Sequence, residues 1–347
     1  MGMFRTLLLL LAGLVLVISI PLFLGGHALW HELLHFPTHL LLVMIGMIFI
    51  CWFLNAAKLK VLLAGRSGYL NHFEAMGVIM ATEFAICATP GGAGGPVTLI
   101  ALMKQRGMKP AQTTAVFAVD QMIDMLFFFT SMAAMVIYIA IKAVNMHFGW
   151  ILGMPMLLMA TGFILIFLIA KYQTQTIRAV AGLLNLLRLK AHRRYRMIRR
   201  LLVFRDSLRE TLKMPRHLLL AAFMFGVLHW IVRYSVLYLA LYGLGKHLDW
   251  GWTFLVQMLS MAAGQLTLLP GGAGGAELSS MAMLSPLVGE HVAAAAILIW
   301  RAVTYYFYLI AGAPVFMYLA GSALAQRIFK ARKKDEPELI KETDSDS

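Results

Sequence analysis

Apolar residues fall in long unbroken blocks along this chain, separated by short polar segments. The runs Leu7–Leu24, Leu40–Leu54, Ile151–Ala170 and Leu218–Leu244 approach or exceed the roughly 20 apolar residues that span a bilayer. This pattern predicts an all-α polytopic membrane protein. The first run reads as a retained helix and not a signal peptide. Only Arg5 precedes it, it exceeds a typical signal core, and no small-x-small cleavage site follows.

Two apolar stretches are broken by the same hexapeptide. PGGAGG occurs at Pro90–Gly95 and again at Pro270–Gly275. Proline lacks a backbone donor and glycine accepts unusual dihedrals, so each copy ends a helix. The freed backbone groups cannot face lipid and must be buried in protein or line a wet cavity.

Charge distinguishes a full crossing from a turn back. With the N-terminus inside, helix one runs outward over Phe4–Leu24. The loop Gly25–Thr38 has no Lys or Arg, and a helix over Leu40–Ala57 returns inward to Lys58, Lys60 and Arg66. The chain re-enters near Phe73, reaches the first PGGAGG after about 17 residues and leaves over about 8, too few to span. Turning back leaves Lys104, Arg106 and Lys109 inside. Helices over Pro110–Ile141 and Ile151–Ala170, a basic connector 171–216 and a helix over His217–Leu244 follow. A second hairpin enters near Trp252, turns at Pro270–Gly275 and opens to the other face, before a helix over Val292–Leu319. The expected fold is therefore about six transmembrane helices plus two oppositely oriented re-entrant hairpins. They form an inverted repeat, approximately 73–141 and 252–320, in one membrane domain 1–325 with a cytoplasmic charged tail 326–347. Both termini are expected inside.

Composition supports this class. The 347 residues are 61% hydrophobic and 13% charged, about half the charge of a soluble domain. The net charge of +14 is concentrated: thirteen Lys/Arg lie between Lys171 and Arg216, and five between Arg327 and Lys334. Beside membrane helices such clusters mark the inner face and touch anionic lipid. Nothing else supports nucleic acid, so none is expected as a partner. Cys51 and Cys87 both lie in apolar segments and read as buried thiols.

Six ionisable residues sit at membrane depth: Glu83, Asp120, Asp124, Arg233, Glu277 and Arg301. Each costs about 2.5–3.5 kcal/mol on insertion scales, so together they ask for a role. Asp120 and Asp124 share a helix face. Broken helices direct N-terminal dipoles toward the midplane, which favours anions, and arginine offers a planar fork for phosphate. Arg233, Arg301, Tyr305 and Glu277, with the turn residues Pro90, Gly91, Gly92, Pro270, Gly271 and Gly272, are the candidate substrate-binding set. Glu83, Asp120 and Asp124 are candidates for a coupling ion, proton or sodium, or for a headgroup amine. Tyr306 and Tyr308 are candidate cavity aromatics. Pairing for structure, acids neutralising Arg233 and Arg301, is the competing reading.

These motifs resemble the lysylphosphatidylglycerol synthase transmembrane family, that of the membrane half of the bacterial multiple peptide resistance factor. The resemblance spans about residues 40–320. It rests on PGGAGG at Pro90, KQRG at Lys104–Gly107, VDQMID at Val119–Asp124, PGGAGGAE at Pro270–Glu277 and WRAVTYY at Trp300–Tyr306. The family often has Glu-Arg where this chain has Asp120-Gln121, and a Glu where it has Gly95 or Pro96, which leaves the partner of Asp124 open. The resemblance implies lipid translocation in a bacterial or archaeal cytoplasmic membrane. The aminoacyl transfer of the bifunctional relative resembles the work of a separate soluble domain, and the segment after Ala325 is too short for one.

HELLH at His31–His35 matches the HExxH zinc pattern. No companion ligand stands out, and the segment reads as an interfacial helix beside Trp30. No Walker, nucleotide or haem motif is present, so no metal or cofactor is expected. The expectation is a secondary transporter or flippase for an anionic or zwitterionic lipid, a phospholipid or a polyprenyl-phosphate-linked one. The alternatives are an integral-membrane transferase acting on a lipid-linked substrate, an outer-face metalloprotease and a scaffold. Which lipid, which direction and which oligomeric state stay open.

Overall fold

The computed structural model describes residues 28–64, 70–141 and 191–321, with isolated positions between 15 and 22. The helices expected over Phe4–Leu24 (apart from those positions) and Ile151–Ala170, the connector up to Lys190, Arg66 and the tail 326–347 lie outside the described residues. Every regular element among those described is helical. In order they are α1 (Ala28–Leu34), α2 (Thr38–Leu63), α3 (His72–Ala88), α4 (Gly94–Gln105), α5 (Pro110–Ile141) and α6 (Ala191–Leu212). Then follow α7 (Arg216–Tyr234), α8 (Val236–Gly243), α9 (Trp250–Leu266), α10 (Gly275–Val288) and α11 (Glu290–Arg301), which continues through a π-turn at Ala302–Tyr306. Among the described residues, four stretches are long and apolar enough to cross a membrane: Thr38–Leu63, Pro110–Met135, Arg216–Gly243 and Glu290–Gly321.

α3 and α4 form the first hairpin. Asn71 opens it by accepting from the His72 N–H at 2.6 Å, while Glu74 reaches back to the Asn71 N–H at 3.1 Å, a reciprocal cap that satisfies end donors. α3 stops at Thr89 because Pro90 follows, and Pro90–Gly92 make one 3₁₀ turn with Gly91 at φ 58°. The Thr89 hydroxyl donates to the Ala85 carbonyl at 2.6 Å and accepts from the Gly94 N–H at 2.7 Å, tying the two legs together. α4 has 12 residues, longer than the eight expected, because the helix starts at Gly94 and runs to Gln105. At 1.5 Å per residue it is about 18 Å long, still well under the bilayer core.

The second hairpin, α9 and α10, repeats this geometry. Pro270–Gly272 form a 3₁₀ turn with Gly271 at φ 63°. The two Pro-Gly-Gly turns pack directly on each other. Glycine is required here for space as well as for dihedral. A Cβ on Gly271 would run into the Tyr305 ring, and one on Gly264 of α9 would lie 2.9 Å from the Gly272 carbonyl oxygen.

α2 packs along α7, and α11 packs on α1, α8 and α10. The main core gathers the Ala293–Ile297 stretch of α11 with Trp52, Leu237, Leu241, Trp300 and Tyr308. Two expected helices carry local breaks. The stretch His217–Leu244 divides at Ser235, whose hydroxyl donates to the Ile231 carbonyl at 2.8 Å, a back-bond that bends helices. The last helix widens into a π-turn immediately after Arg301.

Candidate functional site

Among the described residues, three charged groups lie inside the bundle. The first joins both halves of the chain. Glu83 of α3 accepts from Trp52 Nε1 at 3.2 Å and Asn55 Nδ2 at 2.9 Å, both on α2. Arg233 of α7 sits 3.7 Å from the same carboxylate and donates to Tyr308 Oη at 3.1 Å. Its guanidinium also lies over the rings of Tyr308 and Trp230, at 4.8 and 5.7 Å from their centroids, where the ring quadrupole attracts a cation.

The second group grips the second Pro-Gly-Gly turn. Arg301 Nε lies 2.5 Å from Glu277 Oε1, and both side chains are almost wholly enclosed. Glu277 Oε2 accepts from the Gly274 N–H at 2.7 Å, and Arg301 Nη1 donates to the Gly271 carbonyl at 3.1 Å. The Tyr305 hydroxyl faces the Pro270 carbonyl at 3.5 Å. Arg301 Nη2 is buried without a hydrogen-bond partner. Leaving such a donor unpaired in the interior is costly.

The third group supplies the partner that was open. Lys58 Nζ lies 2.8 Å from Asp120 Oδ1 and 2.9 Å from Asp124 Oδ1. Sequence reading placed Lys58 at the start of an inner loop; instead α2 continues to Leu63 and buries Lys58 at 3% exposure. A signal was present: Trp52, Asn55 and Lys58 recur every three residues, a polar stripe on one face of an apolar helix.

Two adjoining cavities unite the first two groups. One, of about 220 Å³, is lined by Arg233, Arg301, Trp230, Gln257, Gln265 and Thr304 among others. The second, of about 70 Å³, shares Arg233, Gln265, Arg301 and Thr304 and is closed by Gly91, Gly92, Gly271, Gly272 and Tyr305. Gln257 fixes the floor, its amide accepting from Trp300 Nε1 at 3.2 Å and donating to the Tyr234 carbonyl at 3.3 Å. Of the expected substrate-binding residues, Arg233, Arg301, Tyr305 and four of the turn glycines therefore line this space. Glu83 and Glu277 stand behind the arginines, and Asp120 and Asp124 belong to the separate lysine group.

HELLH falls on α1 and the turn after it. His35 Nδ1 lies 2.8 Å from the His31 carbonyl oxygen, the two rings stack at 4.1 Å, and Glu32 faces His291 at 3.8 Å. No group of three His, Cys, Asp or Glu among the described residues is placed to hold a metal. Cys51 and Cys87 are buried free thiols.

Long apolar helices around a charged interior define an integral membrane protein. The chain belongs to the family described as the lysylphosphatidylglycerol synthase TM region, which matches residues 10–312. The name of that family places it in lipid handling. A UPF0104 membrane protein from Archaeoglobus fulgidus is 22% identical over 273 residues, 76% of this chain and 81% of that protein.

Proposed function

We propose that this protein is a secondary transporter or flippase that moves an anionic or zwitterionic lipid, a phospholipid or a polyprenyl-phosphate-linked one, across a bacterial or archaeal cytoplasmic membrane. The carrying observation is the pair of arginines on one cavity bounded by two touching Pro-Gly-Gly turns, with Arg301 Nη2 buried and unpartnered. A phosphate oxygen satisfies that donor, and Arg233 supplies the second charge of a clamp.

The hairpins gate this site. In this reading they enter from opposite faces as an inverted repeat and meet at their tips, so that parting one hairpin opens one side only. The short legs, the shared turn geometry and the turn-to-turn contact support this. The repeat is chemically one-sided. At the 180-residue offset between the hexapeptides, Glu277 and Arg301 correspond to Val97 and Gln121. The second hairpin carries a buried acid–arginine lock beside its turn, whereas the acid–arginine pair of the first, Glu74–Arg106 at 3.0 Å, lies at the open end of its legs and is half-exposed.

The test is native mass spectrometry with lipid analysis of the purified protein, wild type beside Arg301→Ala and Arg233→Ala. A phosphate-bearing lipid class held by the wild type and lost from both variants is expected, and that class then enters a translocation assay in liposomes. The same bulk lipid on all three proteins would overturn the headgroup site.

A further inference from the structure

We infer that the Lys58–Asp120–Asp124 cluster is a proton-binding site, distinct from the arginine-lined cavity and coupled to it through α7. The inference rests on the transport reading and names its coupling ion.

The charge count motivates it. One ammonium faces two carboxylates at 2.8 and 2.9 Å, with Lys58 at 4% side-chain exposure and Asp124 at 14%. The cluster is thus one negative charge in excess inside a low-dielectric bundle, where uncompensated charge is strongly disfavoured. Among the described residues, Lys58 is the cation found within ion-pair distance of the two aspartates. α7 brings Gly226, whose missing side chain makes room beside Asp124 and Lys58. It also brings the Trp230 indole toward Asp124, without a formed hydrogen bond. α7 also carries His229, buried and with Nδ1 3.2 Å from the Cys51 carbonyl, and Tyr234, while α6, packed on α5, carries the charged residues Arg205, Asp206, Arg209 and Glu210, with Lys213 directly after it.

A proton resolves the excess with no further ligand. It adds to one carboxylate oxygen, and Lys58 stays paired with the other aspartate. Sodium requires several oxygen ligands, and the Lys58 ammonium already occupies the space between the two carboxylates. Asp120 is the more accessible of the pair, at 25% side-chain exposure, and offers the route by which the proton arrives.

The link to the cavity is a single helix. Gly226 packs on the cluster and Trp230 interacts with Asp124, while Trp230 also lines the 220 Å³ cavity beside Arg233, three residues on. Protonation that loosens Lys58 from one aspartate changes what α2 and α5 offer to α7, which carries an arginine of the clamp.

Infrared titration of the full chain in liposomes tests this. A carboxylic-acid band should appear as pH falls, shift on heavy-isotope labelling of aspartate carboxyls, and be lost in both Asp120→Asn and Asp124→Asn. Asp206→Asn, on the surface, should keep it. Exchanging choline for sodium on the wild type should leave the midpoint unmoved; a midpoint displaced downward by sodium would overturn the proton in favour of the metal ion. A band unaffected by aspartate labelling would overturn the site without recourse to any variant. No lipid movement is read, so this result and the lipid-retention result fail independently.

Discussion

At the residue scale the decisive feature is that a glutamate stands behind each of the two cavity arginines. Glu277 neutralises Arg301, whose Nη1 donates to the Gly271 carbonyl while Nη2 is left without a hydrogen-bond partner. Buried pairs seldom exceed apolar packing in stability, but breaking one leaves an uncompensated charge at a cost of about 3–5 kcal/mol. Glu277→Gln should therefore lower unfolding stability by roughly that amount in a denaturant titration of the micelle-solubilised protein. The double variant Glu277→Leu with Arg301→Met should recover most of the loss while lipid retention stays abolished. If lipid retention returned with stability, the pair would be structural only. Arg233, Arg301 and the acids were legible in the sequence because a charge inside an apolar run is conspicuous. Lys58 was not, because a lysine at the end of such a run looks like an interfacial residue until α2 is seen to run on to Leu63.

At the element scale the two broken hairpins matter most. Gly91 and Gly271 share a left-handed φ, which proline and glycine spacing predicts directly. The sequence does not reveal that the Tyr305 ring lies where a Gly271 side chain would sit. Gly107 is a useful contrast, with φ 84° but nothing within 4 Å of its would-be Cβ. Gly107→Ala should cost about 1 kcal/mol from dihedral strain, and Gly271→Ala a further ~1–3 kcal/mol from displacing the ring. Midpoints of thermal unfolding for the two variants check this ordering. Equal midpoints would mean that the ring moves aside freely. The π-turn after Arg301 was equally invisible. It arises where α11 must carry both Arg301 and Tyr305 onto one turn, and wide turns of this kind cluster at functional positions.

At the scale of the whole molecule the question is which face each hairpin opens to. The thread of basic residues puts Arg106 inside and Lys246 outside. Single cysteines at these positions report it, since Cys51 and Cys87 are buried and give little background. In right-side-out cells or vesicles, Lys246→Cys should react with an impermeant maleimide and Arg106→Cys only after permeabilisation. Labelling of both from one side would remove the opposed-hairpin reading and the alternating gate with it.

The sequence by itself determined the membrane class, the long apolar helices among the described residues, the two turns and the intramembrane charges other than Lys58. These follow from local physics: apolar length, a missing donor at proline, freedom at glycine and the cost of ions in lipid. Only the tertiary structure decided who pairs with whom. Glu83 reaches Arg233 across 150 residues, Lys58 takes both aspartates, and the two turns 180 residues apart meet over one cavity. Such pairings depend on how helices pack, and packing is settled by side-chain shape over the whole bundle, which no local pattern encodes.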